Sequence, residues 1–134
     1  MIYGAANQAL YRTESGSNCG LDITLGFDWS PNDVNRENSQ ITTGARLNGP
    51  IPSRPHDSAD LGFVYTHIGD PFQTVGIPPG LPALGSEKAL DLNYALWLRP
   101  YLLWQPVFQY YWDVGANSRI PNAAIFGFRV KVDF

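Results

Sequence analysis

The sequence predicts an all-β chain, an antiparallel up-and-down transmembrane β-barrel wall of about seven strands, and three observations predict it. The first is alternation. From Ala124 onward the even positions are Ala124, Phe126, Phe128, Val130, Val132 and Phe134, whereas the odd ones include Gly127, Arg129, Lys131 and Asp133. In an extended strand this period of two places the large apolar groups on one face and the charges on the other. The second is composition: 13 Gly, 11 Pro, 13% aromatics and only 16% charged residues favour short strands and turns over helices. The third is the gathering of aromatics near strand ends. Tyr11, Trp29, Tyr94, Trp97, Tyr101, Trp104, Tyr110, Tyr111, Trp112 and Phe134 sit where two interfacial girdles would need them.

Composition alone does not choose between a membrane barrel and a soluble sandwich. Mean hydropathy is slightly negative, and the sequence contains no run of about 18 apolar residues, which excludes a transmembrane helix. A barrel strand needs only roughly 9 to 11 residues with every second one apolar, so this does not exclude a membrane. The net charge of -3 is small and no basic stripe with interleaved aromatics occurs, so nucleic acid is not an expected partner. Cys19 is the single cysteine, which excludes an internal disulfide and a Cys-rich zinc site. Met1-Ile2-Tyr3 leads straight into pattern, without a basic region, an apolar stretch and a small-residue cleavage site. The expectation is either a cytosolic protein or a piece of an exported one.

Taken in order, Ile2 to Arg12 is a strand of ambiguous facing, with Tyr3, Ala5, Ala9 and Tyr11 against Gly4, Ala6, Gln8 and Leu10. Thr13 to Gly20 has the chemistry of a turn. Leu21 to Trp29 sets Leu21, Ile23, Leu25, Phe27 and Trp29 against Asp22, Thr24, Gly26 and Asp28. Ser30 to Ser39 is polar and contains a proline, hence a loop. Gln40 to Asn48 is the third strand, with Arg46 on its polar face. Gly49 to Ser58 holds three prolines, which remove ladder donors and force a turn.

Leu61 to Ile68 alternates again, and Gly69 to Ser86 is the longest loop. Lys88 to Leu98 sets Leu90, Leu92, Tyr94, Leu96 and Leu98 against Ala89, Asp91, Asn93, Ala95 and Trp97. Arg99-Pro100 marks a tight turn. In Tyr101 to Trp112 the apolar face holds Leu102, Trp104, Phe108, Tyr110 and Trp112, and the other holds Gln105, Val107, Gln109 and Tyr111. Pro106 lies inside this strand and leads us to expect a bulge. Asp113 to Pro121 is a loop before the final strand. A soluble β-sandwich could hold the aromatics in its core, and it stays open at this point. Complete apolar faces opposed to carboxylates, amides, guanidinium groups and glycines suit a wet lumen better.

Two stretches carry a family likeness. Gly49 to Tyr65, G-P-I-P-S-R-P-H-D-S-A-D-L-G-F-V-Y, resembles the carbohydrate-selective porin family, OprB-like, with its G-x-I-P-x-R-P-x-D turn before a Gly-containing strand. Glu87 to Tyr110 is similar to that family's final hairpin, with the Q-P-x-x-Q-Y core present as Gln105, Pro106, Gln109 and Tyr110. Pro121-Asn122-Ala123 and a strand ending in Phe continue the likeness to the last residue.

The resemblance implies that residues 1–134 are the carboxy-terminal part of a single sixteen-stranded porin domain of the Gram-negative outer membrane, with one edge of the last strand lacking its partner. It implies passive, carbohydrate-selective diffusion of mono- or oligosaccharides, no enzymatic activity, no cofactor and no metal. Outer-membrane lipid and, through the Phe134 strand, the outer-membrane assembly machinery are the other implied partners. Ser30 to Ser39, Gly69 to Ser86 and Asp113 to Pro121 would lie outside the cell. Thr13 to Gly20, Gly49 to Ser58 and Arg99-Pro100 would be periplasmic turns, the second of them long for that side.

Strand parity then gives Arg46, Asp91, Asn93, Trp97, Gln105, Gln109, Arg129 and Lys131 as pore-lining or substrate candidates. Carboxylate, amide and guanidinium groups pair with sugar hydroxyls, and aromatic faces stack on sugar rings. Each could equally do no more than solvate a pore. Trp97 suits either a stacking surface or a girdle. Arg54 and Asp57 match the family turn, either as a pore contact or, more simply, as a charged pair bridging a Pro-locked turn. His56-Asp57-Ser58 offers the residue types of a catalytic triad, but neighbours in one turn cannot take up its geometry. His56 and His67 fall on different elements, which does not favour a shared metal. A soluble carbohydrate-binding β-module is the alternative function.

Overall fold

Each alternating stretch forms a strand, and the Pro- or Gly-rich stretches at 30–36, 49–57, 69–85, 100–101 and 113–122 form turns or loops. A computed structural model describes residues 1–13 and 19–134. The strands are β1 (Ile2–Arg12), β2 (Gly20–Trp29), β3 (Glu37–Asn48), β4 (Ser58–Ile68), β5 (Ser86–Arg99), β6 (Leu102–Trp112) and β7 (Ala123–Val132). They form one antiparallel sheet in chain order, and among the described residues the sheet is not closed: β1 pairs only with β2, and β7 only with β6. Two single 3-10 turns, Asp70–Phe72 and Val114–Ala116, lie in the loops.

Pairing settles the facing of β1. Tyr3, Ala5 and Asn7 stand opposite Asp28, Gly26 and Thr24, so they share the polar face, and Gly4, Ala6 and Gln8 oppose Phe27, Leu25 and Ile23. Three expectations need correction. β3 begins at Glu37, inside the expected 30–39 loop, because Glu37 and Ser39 pair with Ile68 and His67. β4 begins at Ser58, not Leu61, because Ser58, Ala59 and Asp60 complete the ladder to Asn48, Leu47 and Arg46 although they carry no large apolar group. No bulge forms at Pro106. The pairs Asn93↔Val107 and Leu96↔Trp104 keep one register across it, and Pro106 itself pairs with Phe128. The missing N–H is absorbed by a gap in pairing opposite Tyr94 and Ala95 rather than by an inserted residue. The β5–β6 register shifts instead at the strand end, between Trp97 and Arg99.

The strands leave the 30–36, 69–85 and 113–122 loops at one end of the sheet and the 49–57 and 100–101 turns at the other. Thr13 donates its N–H to the Cys19 carbonyl at 3.1 Å; the rest of that expected turn lies outside the described residues. Apolar burial among the described residues is confined to the loop end, where Ile68, Leu84 and Ala116 pack with Phe72 and Ile77. Backbone hydrogen bonds knit these loops together, from Gly69 to the Arg36 carbonyl, Leu84 to Gln73 and Gly85 to Ala116.

The sheet itself has no second layer. Phe126 is 79% exposed and Phe128 73%, in line with Val130 and Val132 along β7. In water each such ring would forgo roughly 2–3 kcal/mol of burial, and a soluble sandwich covers this face with another sheet. Hydrocarbon covers it equally well. Strands of 10 to 14 residues are long enough to cross a bilayer with tilt.

Candidate functional site

The opposite face of the sheet is polar, and antiparallel pairing arranges it in cross-strand rows. One row runs Asp22, Arg46, Asp60 and Asn93; the next, towards the loops, runs Asn7, Thr24, Gly44, Gly62, Asp91 and Gln109. Neighbours in a row lie close enough for polar groups to pair across strands. Arg46 donates from Nε to Asp60, Arg12 pairs with one oxygen of Asp22, and Asn48 donates to the other at 2.8 Å. Asn7 donates to the Thr24 hydroxyl at 3.1 Å.

On β5 and β6 the candidates form one network. Asp91 accepts from Asn93 at 2.9 Å and from Gln109 at 2.8 Å, and Gln105 donates to the Asn93 carbonyl oxygen at 2.7 Å. Asn7, Arg46, Asp60, Asp91, Asn93 and Gln105 surround a shallow concavity of about 270 Å³ floored by Gly44 and Gly62. Exposed ion pairs of this kind contribute at most about 1 kcal/mol to stability. Their consequence is geometric: the pairing ties the charges to neighbouring strands, and the side-chain carbonyl oxygens of Gln105 and Gln109 accept no hydrogen bond among the described residues.

Of the sequence candidates, Arg46, Asp91, Asn93 and Gln105 meet around this concavity, and Gln109 joins them through its hydrogen bond to Asp91. Arg129 lies at the open edge opposite Gln105, and Lys131, opposite Leu103, donates to Asp133 at 3.0 Å. Trp97 shares their parity but stands at the turn end of β5, opposite Leu103. Sequence reasoning missed Asp60, since it started β4 at Leu61, three residues too late; pairing β4 with Arg46 would have found it. Asp22 was placed on the polar face without being singled out, and its partners Arg12 and Asn48 needed the register.

Arg54 and Asp57 form a different centre, apart from the concavity. The turn before β4 folds tightly, with Gly49 donating to the Asp57 carbonyl at 2.8 Å and Arg54 to that of Ile51 at 2.8 Å. Gly49 has φ +59, and a Cβ there would lie 2.3 Å from the Cys19 sulfur, so both backbone and space require glycine. This turn brings Asp57 against the end of β5, where its side chain is only 2% exposed.

The Asp57 carboxylate takes the Arg54 guanidinium in an ion pair, the Trp97 N–H at 2.9 Å and the Tyr94 hydroxyl at 3.0 Å. Arg54 Nη2 also donates to the Trp97 carbonyl at 2.9 Å. β4 stops pairing with β5 at Ser58↔Ala95. The two side chains therefore take the N–H and C=O of Trp97 that a longer β4 would have paired, and leave neither unsatisfied. Burial pushes the Asp57 carboxyl up, but the hydrogen bonds from Arg54, Trp97 and Tyr94 outweigh it and hold its pKa below the ordinary value. The hydrogen bond to Asp57 raises the Arg54 pKa in turn.

Comparison with known proteins follows the same lines. No curated protein matches the chain significantly. A high-pH structure of Pseudomonas putida OprB superimposes with a TM-score of 0.87 at 22% identity, over 98% of this chain and 34% of that one. At that identity the likeness is one of fold, and the chain spans about a third of that protein's length. The sequence profile of the carbohydrate-selective porin family, OprB, matches residues 1–134, and the chain belongs to that family.

Proposed function

We propose that residues 1–134 are the carboxy-terminal arc of an outer-membrane porin barrel that lets sugars diffuse passively across the bilayer. The observation that carries this reading is the single sheet with one uncovered apolar face and one hydrogen-bonded polar face. In a barrel the first face meets lipid and the second meets water, while every backbone group pairs within the cylinder. Arg46, Asp91, Asn93, Gln105 and Gln109 line the lumen, with Arg129 and Lys131 beside the seam. Sugar hydroxyls both donate and accept, and this wall offers guanidinium donors beside carboxylate and amide acceptors. The porin does no bond chemistry. Its final strand, ending in Phe134, is the segment that the outer-membrane assembly machinery would engage.

Strand count supports an incomplete cylinder. Seven strands alternate in direction, so β1 and β7 run the same way. Joining them directly would make a parallel seam in an antiparallel barrel. Closure therefore needs an odd number of further strands, as a sixteen-stranded barrel would supply. The test is sugar-driven swelling of vesicles. The complete barrel should admit monosaccharides, whereas the 134-residue chain should admit none. Failure of the complete barrel to pass sugars contradicts the proposal, as would a chain that stays monodisperse in plain buffer with Phe126 and Phe128 shielded from a hydrophobic dye.

A further inference from the structure

Trp97 is held more firmly than a girdle residue requires. Its N–H and C=O are both taken by side chains from the 49–57 turn, one of them the buried Asp57 carboxylate. An interfacial tryptophan is retained by the membrane boundary and needs no such anchor. Its position in β5 also has the parity of Asp91 and Asn93, on the polar face, whereas its neighbour Leu98 belongs to the other. Beside it opens a cleft of about 520 Å³ lined by His56, Trp97, Leu98, Arg99 and Pro100, a volume typical of small-molecule sites.

We propose that this cleft is a stacking subsite for a pyranose ring at the turn end of the wall, with Arg54 and Asp57 as positioning residues that fix Trp97. The inference rests on the sugar-porin reading and adds a place and a mechanism to it. A pyranose has an apolar C–H face and a rim of hydroxyls. The indole receives the face, while His56 and Arg99, which line the same cleft, bring an imidazole and a guanidinium of the kind that pairs with the rim. A side chain fixed in advance loses less freedom on binding. The buried Asp57 anchor provides that fixation by holding the backbone from which the indole projects.

The test uses the 134-residue chain in lauryldimethylamine oxide micelles, with D-glucose titrated against tryptophan fluorescence. Glucose should change the emission and an open-chain hexitol should not; Trp97→Phe should abolish the response. Asp57→Ala should weaken the apparent glucose affinity about tenfold and speed the fast anisotropy decay of Trp97 in a background where Trp29, Trp104 and Trp112 are Phe. Asp57→Asn, which keeps an acceptor for the Trp97 N–H, should recover part of both. Should Asp57→Ala fail to fold, Arg54→Lys, which loses the fork that spans Asp57 and Trp97, serves the same comparison.

A glucose response that survives Trp97→Phe, or that the hexitol or a short-chain phosphocholine reproduces in full, overturns the subsite. Unchanged affinity and unchanged indole motion in the position 54 and 57 variants overturn the positioning role. Passage of glucose through the complete barrel without any Trp97 response sinks this inference alone. Absence of passage sinks the porin reading beneath it.

Discussion

At the scale of the residue, Asp57 is the group on which most depends. A carboxylate that is 2% exposed and keeps a lowered pKa must be stabilised by its partners more than burial penalises it. A folded-state pKa below the ordinary value of 3.8 means that its contribution is present above that value and is lost as the pH falls through the folded one. Trp97 and Tyr94 report on the same contact, so the near-ultraviolet circular dichroism of the wild type should change in acid, below about pH 4. Asp57→Asn should remove that transition, and a transition that persists in it would assign the change elsewhere. Asp57→Ala leaves the Trp97 N–H without its acceptor and the Arg54 guanidinium with only the Trp97 carbonyl. We expect a loss of roughly 2–3 kcal/mol, read from denaturant unfolding in micelles.

At the scale of the element, the strands were legible because their side chains obey a period of two, and that is a property of sequence alone. What escaped was whatever depends on a neighbouring strand. Ser58 to Asp60 show no apolar alternation and become strand because Arg46 to Asn48 pair with them on one side and Asn93 to Ala95 on the other. Pro106 reads as a bulge in isolation, yet β7 pairs normally beside it and the register holds. The contact between Arg54 and Trp97 joins positions 43 apart, which no local motif announces, although the G-P-I-P-S-R-P-H-D stretch already marked the turn as unusual. The polar network of Asp91, Asn93, Gln105 and Gln109 was visible as parity, and its hydrogen bonds needed the register.

Two glycines give a matched test at this scale. Gly49→Ala forces a side chain into positive φ and against Cys19, and should destabilise by about 1–3 kcal/mol. Gly127→Ala has nothing within 4 Å of the new Cβ and should stay within about 0.5 kcal/mol of wild type. Equal effects in the two variants would mean that the 49–57 turn is not held as described. On β7, Phe128→Arg should cost about 2–4 kcal/mol of membrane stability if position 128 lies near the bilayer centre, and less towards an interface. It should be measured by denaturant unfolding from vesicles. No cost at all would place this face away from lipid.

At the scale of the whole molecule, the sheet makes sense only with something on each side and at each edge. Its apolar face lacks a second protein layer, its buried apolar cluster sits in the loops rather than beneath the strands, and its two outer strands run in the same direction. Lipid, water and an odd number of further strands satisfy these three demands together. The fold class was legible because apolar and polar residues alternate so sharply along β2, β5 and β7, although β1 shows no such contrast. The closure was not, since seven alternating strands leave two outer strands that run the same way and do not pair with each other.

Spin labels placed one at a time from position 125 to 131, in a Cys19→Ser background and reconstituted in lipid vesicles, test the orientation of the wall most directly. Collision with oxygen, which concentrates in hydrocarbon, should peak at positions 126, 128 and 130. Collision with a water-soluble nickel complex should peak at 127, 129 and 131. Two profiles of period two in opposite phase would establish β7 as a membrane-spanning strand with lipid on one side and water on the other, whereas profiles without that period, or in the reverse phase, would contradict the account.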